Sequence, residues 1–331
     1  MILDGLRPPG AADRDRELYK DWLHLNLFDP ASGVVGLVNV ALHGAPEDPR
    51  ARAVGTALAH LPGEGWVGNA EVAALQAVDV SETHVGLRGV GIGLVRRSNA
   101  VLASVRLSEH GLTLDLQAEV AQRPISAPWR LALGHGWIAW HAVPRLTVRG
   151  SARVAGRPLD LGRAAAYHDH NWGRWRWGDD LGWEWGCFLG DEDSTIVLSR
   201  TTDREHTRRN APLLTLHHAG RRRTFSGASV SVDYGGQVAA PPRRLPGALA
   251  VLHGDRARPR LPAQVCIVAD DGRDHVALTF TPRAAAQLIA AEVHCRGYGF
   301  IHELPGSFSV RGEVAGRAIE FGGLGIYEHV D

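Results

Sequence analysis

The sequence has almost no lysine and no excess of charge of either sign. Of its 331 residues, 36 are lysine or arginine and 36 are aspartate or glutamate, and Lys20 is the only lysine. A chain without net charge has no global field that would attract nucleic acid or anionic lipid. We therefore expect no nucleic-acid partner.

Cysteine is also sparse, and long apolar runs are missing. Cys187, Cys266 and Cys295 are odd in number and lack the CxxC spacing of a zinc or disulfide framework. Met1 to Arg16 lacks the charged start and apolar core of a signal peptide, and no apolar run approaches the roughly 20 residues of a spanning helix. We therefore expect a soluble protein of the reducing cytoplasm.

Short alternating runs, separated by Gly, Pro and Asp, make up most of the chain. Residues 22–28 and 34–42 alternate, with turn residues at 29–33 between them, and this pattern predicts a β-hairpin. Turn signals at this spacing are typical of an all-β barrel or sandwich. Residues 69–80 and 281–293 are the two candidate helices.

An internal repeat relates the two halves of the sequence. His-x-x-Pro, Val-Arg-Gly and Val-Ala-Gly-Arg occur in this order at 141–157 and again at 302–317, and Tyr167 then aligns with Tyr327. Each copy has about the size of a small closed barrel, for which about eight strands suffice to hold one ligand. We therefore predict two tandem calycin or lipocalin-like antiparallel β-barrels with few short helices, at residues 1–173 and 174–331.

Residues 167–173, Tyr-His-Asp-His-Asn-Trp-Gly, form the densest group of titratable and aromatic side chains. The repeat predicts that they are the last strand of the first barrel. Because side chains alternate along a strand, one face should carry Tyr167, Asp169 and Asn171, and the other His168, His170 and Trp172. The second copy has His329 in place of Asp169, so the acid is particular to the first copy.

An acidic side chain inside a small apolar barrel tends to keep its proton and is then a Brønsted acid. Aromatic rings around it, with Trp140 and Trp185 as candidates, would stabilise a developing cation. This combination suits protonation of an electron-rich alkene. The alternative is that Asp169 faces outward or pairs with an arginine.

Other chemistries have weaker support in the sequence. His168 and His170 form the His-x-His pattern with which a strand can ligate zinc or iron, but no third ligand follows at a convincing spacing. The strand-turn-helix GxSxG motif of serine hydrolases does not occur. We therefore expect neither a metal nor a cofactor.

Tryptophan, arginine and aspartate are concentrated in residues 174–185. Tryptophans at a domain boundary commonly just bury surface area. Alternatively, the segment forms the mouth of the ligand site, with Trp rings against an apolar ligand and Arg174 or Arg176 toward a polar or membrane-adjacent end, which would give peripheral membrane contact.

The motif Tyr-x-Asp-His-Asn-Trp-Gly at 167–173 resembles the carotenoid 1,2-hydratase (hydroxyneurosporene synthase) family. That family belongs to a wider group of two-domain lipocalin-like proteins that includes the fungal Diels–Alderases. Asp21-Trp22 and the Trp-His-x-x-Pro element at 140–144 agree with this resemblance, which covers nearly the whole chain.

The resemblance implies a site in or beside the first barrel in which a Tyr-x-Asp pair, here Tyr167 and Asp169, protonates an isoprenoid double bond. The expected substrate-binding residues are Trp140, His141, His170, Trp172 and Trp185. We therefore expect a cofactor-independent hydratase (a lyase) or a cyclase that acts on an apolar, unsaturated small molecule. The alternatives are a pericyclase of the Diels–Alderase kind and a non-catalytic lipid or polyketide carrier.

Overall fold

The computed structural model describes residue 9 and residues 14–81, 84–87, 91–97, 99–127, 130–191, 193–245, 260–292 and 297–331. Cys295 lies outside the described residues. β-Strands cover most of this part of the chain, so the all-β fold class is confirmed. Its helices are 3-10 turns of three residues each, at Arg16–Leu18, Leu75–Ala77, Ser108–His110, Leu161–Arg163 and Gly227–Ser229. None of the described helices is long and apolar enough to cross a bilayer.

The chain forms two compact units. The first comprises Met1–Asp179 and Ala290–Tyr298, and the second comprises Asp180–Ile289 and Gly299–Asp331. The first unit therefore includes a short segment from the second half of the sequence. The domain boundary between residues 173 and 174 stays a prediction.

The first unit is built on one antiparallel sheet with the order β4-β3-β2-β1-β14-β12-β9-β8-β7-β6-β5. The short strands β10, β11 and β13 pair with β12 outside this path. The strands are β1 Tyr19–Asp29, β2 Val34–His43, β3 Arg52–Leu61, β4 Gly65–Ala74, β5 Val78–Ser81, β6 His84–Leu87, β7 Ile92–Arg97, β8 Ala100–Leu107, β9 Leu112–Val120, β10 Ile125–Ser126, β11 Leu131–Leu133, β12 Gly136–Val154, β13 Arg157–Pro158 and β14 Ala165–Arg174.

This sheet curls around a single apolar core. Strands β2 and β3 contact β7, although five or more strands separate them along the sheet. The side chains that meet in the core come from alternate positions, such as Leu23, Leu25 and Leu27 of β1. The predicted hairpin of β1 and β2 is confirmed, and Asp29 fixes its turn by accepting a hydrogen bond from the Ala31 N–H at 3.0 Å.

The second unit contains a sheet with the order β18-β17-β16-β15-β25-β24-β22-β21-β19. It is antiparallel along this path, and β20 and β23 add a parallel pair next to β24. The strands are β15 Gly182–Leu189, β16 Thr195–Thr202, β17 Leu213–His218, β18 Arg221–Ser226, β19 Val230–Gly235, β20 Arg243–Leu245, β21 Gln264–Asp270, β22 His275–Pro282, β23 Ala286–Ala291, β24 Tyr298–Val314 and β25 Arg317–Val330.

The second sheet also curls around its own core. Phe225 of β18 and Val232 of β19 belong to the same buried cluster, although these strands lie at opposite ends of the sheet. Their meeting in one core requires the sheet to bend back on itself. Both units thus have the barrel-like form that the repeat predicts.

The two predicted helices are wrong. Residues 69–80 contain the end of β4, a 3-10 turn and part of β5, and residues 281–292 contain the end of β22 and the whole of β23. Both segments are rich in alanine, which favours helices in isolation. Pairing of β4 with β3, and of β23 with β20 and β24, satisfies their backbone groups instead, so tertiary pairing overrides local propensity.

The repeat is confirmed at the turn that follows Val154 and Val314. Ala155-Gly156 and Ala315-Gly316 each have two successive residues with positive φ, 52° and 76° in the first copy and 54° and 71° in the second. Such turns match the twist of the strands that they connect. Both copies of Val-Ala-Gly-Arg therefore make the same tight turn.

Gly150 should be far more sensitive to substitution than Gly156. Gly150 has a φ of 129°, and a Cβ atom there would lie 2.0 Å from the carbonyl oxygen of Asp115, whereas a Cβ atom at Gly156 would meet nothing within 4 Å. We expect Gly150→Ala to cost about 3 kcal/mol or more and Gly156→Ala about 1 kcal/mol. Urea unfolding followed by tryptophan fluorescence measures both, and equal losses would contradict the role of the close contact.

Candidate functional site

Strand β14 occupies the middle of the first sheet, with β1 on one side and β12 on the other. Its two faces carry different chemistry because side chains alternate. Ala166 belongs to the apolar core of the first unit, so His168, His170 and Trp172 lie on the core face. Tyr167, Asp169 and Asn171 lie on the opposite face.

Asp169 is held between two hydrogen-bond donors on this second face. The Tyr167 hydroxyl donates to Asp169 Oδ2 at 2.8 Å, and Asn171 Nδ2 donates to Asp169 Oδ1 at 2.6 Å. Tyr167 and Asp169 are 1% and 6% exposed. The two predicted catalytic residues are thus in contact and buried, and Asp169 faces away from the apolar core.

Strand β1 adds two polar side chains to the same face, which the sequence interpretation missed. His24 is the register partner of Asp169, and Asn26 that of Tyr167. His24 Nε2 donates to Asn26 Oδ1 at 3.0 Å, and Asn39 Nδ2 donates to His24 Nδ1 at 3.2 Å. Alternation along residues 22–28 could have indicated this face.

The electrostatics of the face follow from burial. Desolvation lowers the pKa of His24 to about 4, although its hydrogen bond with Asn26 acts in the opposite direction. His24 is therefore neutral near pH 7. Asn26 Nδ2 is buried and has no hydrogen-bond partner among the described residues, so this donor is available to a ligand.

Two tryptophans border the polar side chains. Trp22 on β1 and Trp140 on β12 are the register partners of Asn171 on the two neighbouring strands. Trp140 is buried, and its Nε1 has no hydrogen-bond partner in the described part of the chain. We define the buried face as Trp22, His24, Asn26, Trp140, Tyr167, Asp169 and Asn171, of which Trp22 and Asn171 are half-buried.

The remaining predicted substrate-binding residues lie elsewhere. His170 and Trp172 are on the core face of β14, where their rings stack at 4.7 Å and His170 Nε2 lies 2.7 Å from Asp21 Oδ1. His141 is the register partner of His170 and hydrogen-bonds to Ser126 Oγ at 2.7 Å. Trp185 belongs to β15 of the second unit. Of this group, the structure places only Trp140 on the buried face.

The tryptophans of residues 174–177 pack within the first unit around Lys20. Lys20 Nζ lies 3.0 Å from Glu292 Oε2 and donates to the Trp175 carbonyl oxygen at 2.7 Å. The Trp177 N–H donates to the same Glu292 oxygen at 3.1 Å. Both charged side chains are 1% exposed. The only lysine thus joins three separate chain segments.

A second buried polar group lies in the second unit and was not predicted. Glu184 Oε2 accepts hydrogen bonds from Arg200 Nε at 2.6 Å and from the Tyr327 hydroxyl at 2.8 Å. His206 Nδ1 donates to Glu184 Oε1 at 2.7 Å. Arg200 also donates to the Tyr234 hydroxyl at 2.7 Å. We call Glu184, Arg200, His206, Tyr234 and Tyr327 the Glu184 cluster.

Tyr327 belongs to the apolar core of the second unit, whereas Tyr167 lies on the face of β14 opposite the core. The sequence alignment of these two tyrosines is therefore wrong as a structural equivalence. A shift of one residue along a strand moves every side chain to the other face, and single-letter matches do not detect this.

Burial and charge set the titration of the Glu184 cluster. Burial alone would raise the pKa of Glu184, but the hydrogen bond from His206 and the charges of Arg200 and His206 hold it below its usual value. Burial and the negative charge of Glu184 raise the pKa of Tyr327 well above its usual value. Glu184 is thus ionised and Tyr327 protonated near neutral pH.

The ligand atoms of Glu184, His206 and His329 lie within 4.8 Å of one another, which is close enough for a metal. However, the rings of His206 and His329 stack at 3.7 Å with planes 19° apart, so their in-plane lone pairs run side by side and do not converge. Both nitrogens of His206 are also occupied, by Glu184 and by the Val330 carbonyl oxygen. This geometry fits a hydrogen-bonded cluster better than a tetrahedral metal site.

No protein-family model matches the sequence, and no curated protein matches it. Solved structures resemble it along its whole length. An AttH candidate from Nitrosomonas europaea has a TM-score of 0.67 at 15% identity and covers 99% of this chain and 98% of its own. Kievitone hydratase from Nectria haematococca has a TM-score of 0.63 at 12% identity, with 100% and 97% coverage.

CghA, crystallised with Sch210972, has a TM-score of 0.58 at 11% identity and covers 100% of this chain and 94% of its own. At such identities the likeness concerns the fold alone. The whole-length match agrees with the all-β architecture of two barrel-like units predicted from the sequence. The resemblance predicted from the sequence is thus confirmed at the level of the fold.

Replacing Glu184 with Gln should cost about 3–5 kcal/mol of unfolding free energy at pH 7, because Arg200 would keep a buried charge without its partner. Glu320→Gln is the matched control, since its pair with Arg311 is exposed on both sides, at 72% and 81%, and is worth about 1 kcal/mol at most. Urea unfolding of the three proteins measures the difference.

The lowered pKa of Glu184 predicts that the difference in stability between wild type and Glu184→Gln depends on pH. The folded pKa of Glu184 lies below the unfolded value of about 4.3, so its contribution is fully present above that value and is lost as the pH falls through the folded pKa. The gap in stability between wild type and Glu184→Gln should therefore narrow below about pH 4. A gap that stays constant on acidification would contradict this assignment.

Proposed function

We propose that this protein is a cofactor-independent acid catalyst that hydrates or cyclises an apolar, unsaturated small molecule, with Asp169 as the proton donor. The observation that carries the proposal is the buried contact of 2.8 Å between the Tyr167 hydroxyl and Asp169 Oδ2. An acid held against a phenol, with tryptophans on the neighbouring strands, is suited to protonate an alkene and to stabilise the resulting cation.

In its reactive state Asp169 is protonated, and the proton reaches the substrate through the Tyr167 hydroxyl. Asp169 Oδ2 gives its proton to the phenol oxygen while the phenol proton passes to one alkene carbon, whose π electrons form the new C–H bond. Asp169 becomes a carboxylate, and the other alkene carbon becomes a tertiary cation. Asn171 Nδ2, 2.6 Å from Asp169 Oδ1, stabilises the carboxylate by charge-assisted hydrogen bonding.

The cation then has two routes, and both return the proton. In hydration, a water oxygen attacks the cation and loses one proton to Asp169 through Tyr167. In cyclisation, a second double bond attacks, and the new cation loses a proton from carbon to Asp169. The unpartnered Asn26 donor opposite Tyr167 would position the water or a polar end of the substrate.

The surroundings of the acid favour a cationic intermediate. Because burial lowers the pKa of His24 to about 4, this ring adds no positive charge beside Asp169 at neutral pH. The faces of Trp22 and Trp140 supply electron density of the kind that attracts cations. Kievitone hydratase, which shares the fold, is by its name a hydratase, and this is consistent with the proposal.

A pericyclase is the second candidate. Both Asp169 oxygens accept hydrogen bonds in the structure, an arrangement that also suits an ionised side chain with a purely orienting role. Catalysis would then come from holding a polyene in a reactive conformer. This reaction needs no proton transfer to carbon.

Deuterium labelling distinguishes these functions. Wild-type protein is incubated in D₂O with acyclic polyenes such as myrcene, squalene and lycopene, and the products are analysed by mass spectrometry. Acid catalysis places one non-exchangeable deuterium on carbon. A pericyclic product carries none, and a carrier binds the polyene without forming a product.

Asp169→Asn should lower turnover by about 10²–10⁴-fold, because the amide has no acidic proton to give. Asp115→Asn is the matched control, since Asp115 pairs with Arg106 at an exposed position of β9, and its turnover should equal that of wild type. Ligand binding and the unfolding midpoint should change little in either variant. Undiminished deuterium incorporation by Asp169→Asn would exclude Asp169 as the proton donor.

A further inference from the structure

A cavity of about 180 Å³ lies within the second unit. Two neighbouring hairpins form its walls, β17–β18 with the turn at Ala219-Gly220 and β24–β25 with the turn at Ala315-Gly316. All of its lining residues belong to the second unit. It is therefore separate from the buried face around Asp169.

The floor of this cavity is apolar. Leu216, Val314 and Ile319 line it and are members of the core cluster of the second unit. A cavity of about 150 Å³ with a similar lining is large enough for a benzene ring. The floor can thus accept a small aryl group or a short alkyl chain.

The rim of the cavity is cationic. Arg221, Arg223 and Arg317 line it, and none of the described lining residues is acidic. Asp271 and Asp274 pair with Arg223 and offset its charge. Arg221 and Arg317 are exposed, and neither has a hydrogen bond or ion pair among the described residues. Two guanidinium groups are thus available to an anion.

The rim is also held in place before any ligand arrives. Asp274 Oδ1 accepts a hydrogen bond from the Ala315 N–H at 2.7 Å, while its carboxylate pairs with Arg223. This contact links the β24–β25 turn to strand β18. A preformed cavity loses less conformational freedom on binding than a flexible one.

We infer that this cavity binds a small organic anion, with an aryl or short alkyl group on the floor and a carboxylate or phosphate between Arg221 and Arg317. The apolar floor and the two unpaired guanidinium groups require a ligand that is apolar at one end and anionic at the other. The planar guanidinium group of arginine can donate two parallel hydrogen bonds to either a carboxylate or a phosphate. This site does not depend on the activity proposed for Asp169.

Isothermal titration calorimetry with four probes tests the inference. Phenyl phosphate and benzoate carry both required groups, benzyl alcohol lacks the charge, and inorganic phosphate lacks the ring. We expect the two aryl anions to bind the full-length protein at least about tenfold more tightly than either of the other probes. The tighter of the two aryl anions identifies the anionic group that the site prefers.

Variants assign the binding to this cavity. Arg221→Gln combined with Arg317→Gln should weaken the binding of the aryl anions by about tenfold or more. Arg222→Gln is the matched control, since it removes a neighbouring charge from the opposite face of β18 and should change the affinity less than twofold.

Four outcomes would overturn the inference. The first is no measurable binding of either aryl anion at millimolar concentration. The second is equal binding of inorganic phosphate or benzyl alcohol, because the site would then recognise only one of the two groups. The third is an unchanged affinity for the aryl anions when Arg221 and Arg317 are both replaced. The fourth is a loss of affinity in Arg222→Gln that equals the loss in the double variant.

Discussion

The central position of β14 in the first sheet constrains the candidate site more than any other feature. Because β1 and β12 pair with both of its edges, the strand cannot rotate, and alternation assigns each side chain to a fixed face. Tyr167, Asp169 and Asn171 can act together for this reason, while His168 and His170 cannot join them. The same constraint brings His24 and Asn26 of β1 beside the acid.

Buried charges in both units are stabilised by partners that are distant in the sequence. Lys20 and Glu292 are 272 residues apart and are both almost fully buried, and Glu184 lies between Arg200 and His206. A buried charge is tolerated when such a partner is present. In the first unit, the pair joins the Trp175–Trp177 segment and Glu292 to β1, so the tryptophans there have a structural role.

The two copies of the repeat use buried polar groups differently. In the first unit, the acid and the phenol lie on the face away from the apolar core, where Asn26 and Trp140 offer unused donors. In the second unit, the Glu184 cluster lies among core side chains and satisfies its own hydrogen bonds. One architecture thus supports a face with donors available to a ligand in one copy and a closed ionic cluster in the other.

The sequence by itself determined the all-β class, the tandem repeat and the grouping of Tyr167, Asp169 and Asn171, because these follow from local alternation and turn residues. Only the tertiary structure decided that residues 69–80 and 281–292 are largely strands, that Asp169 faces away from the core, and that Tyr327 does not correspond to Tyr167. It also supplied Asn39 and the partners of Lys20 and Glu184. Strand pairing and burial depend on residues far apart in the chain, and a local pattern contains no information about which strand lies next to it.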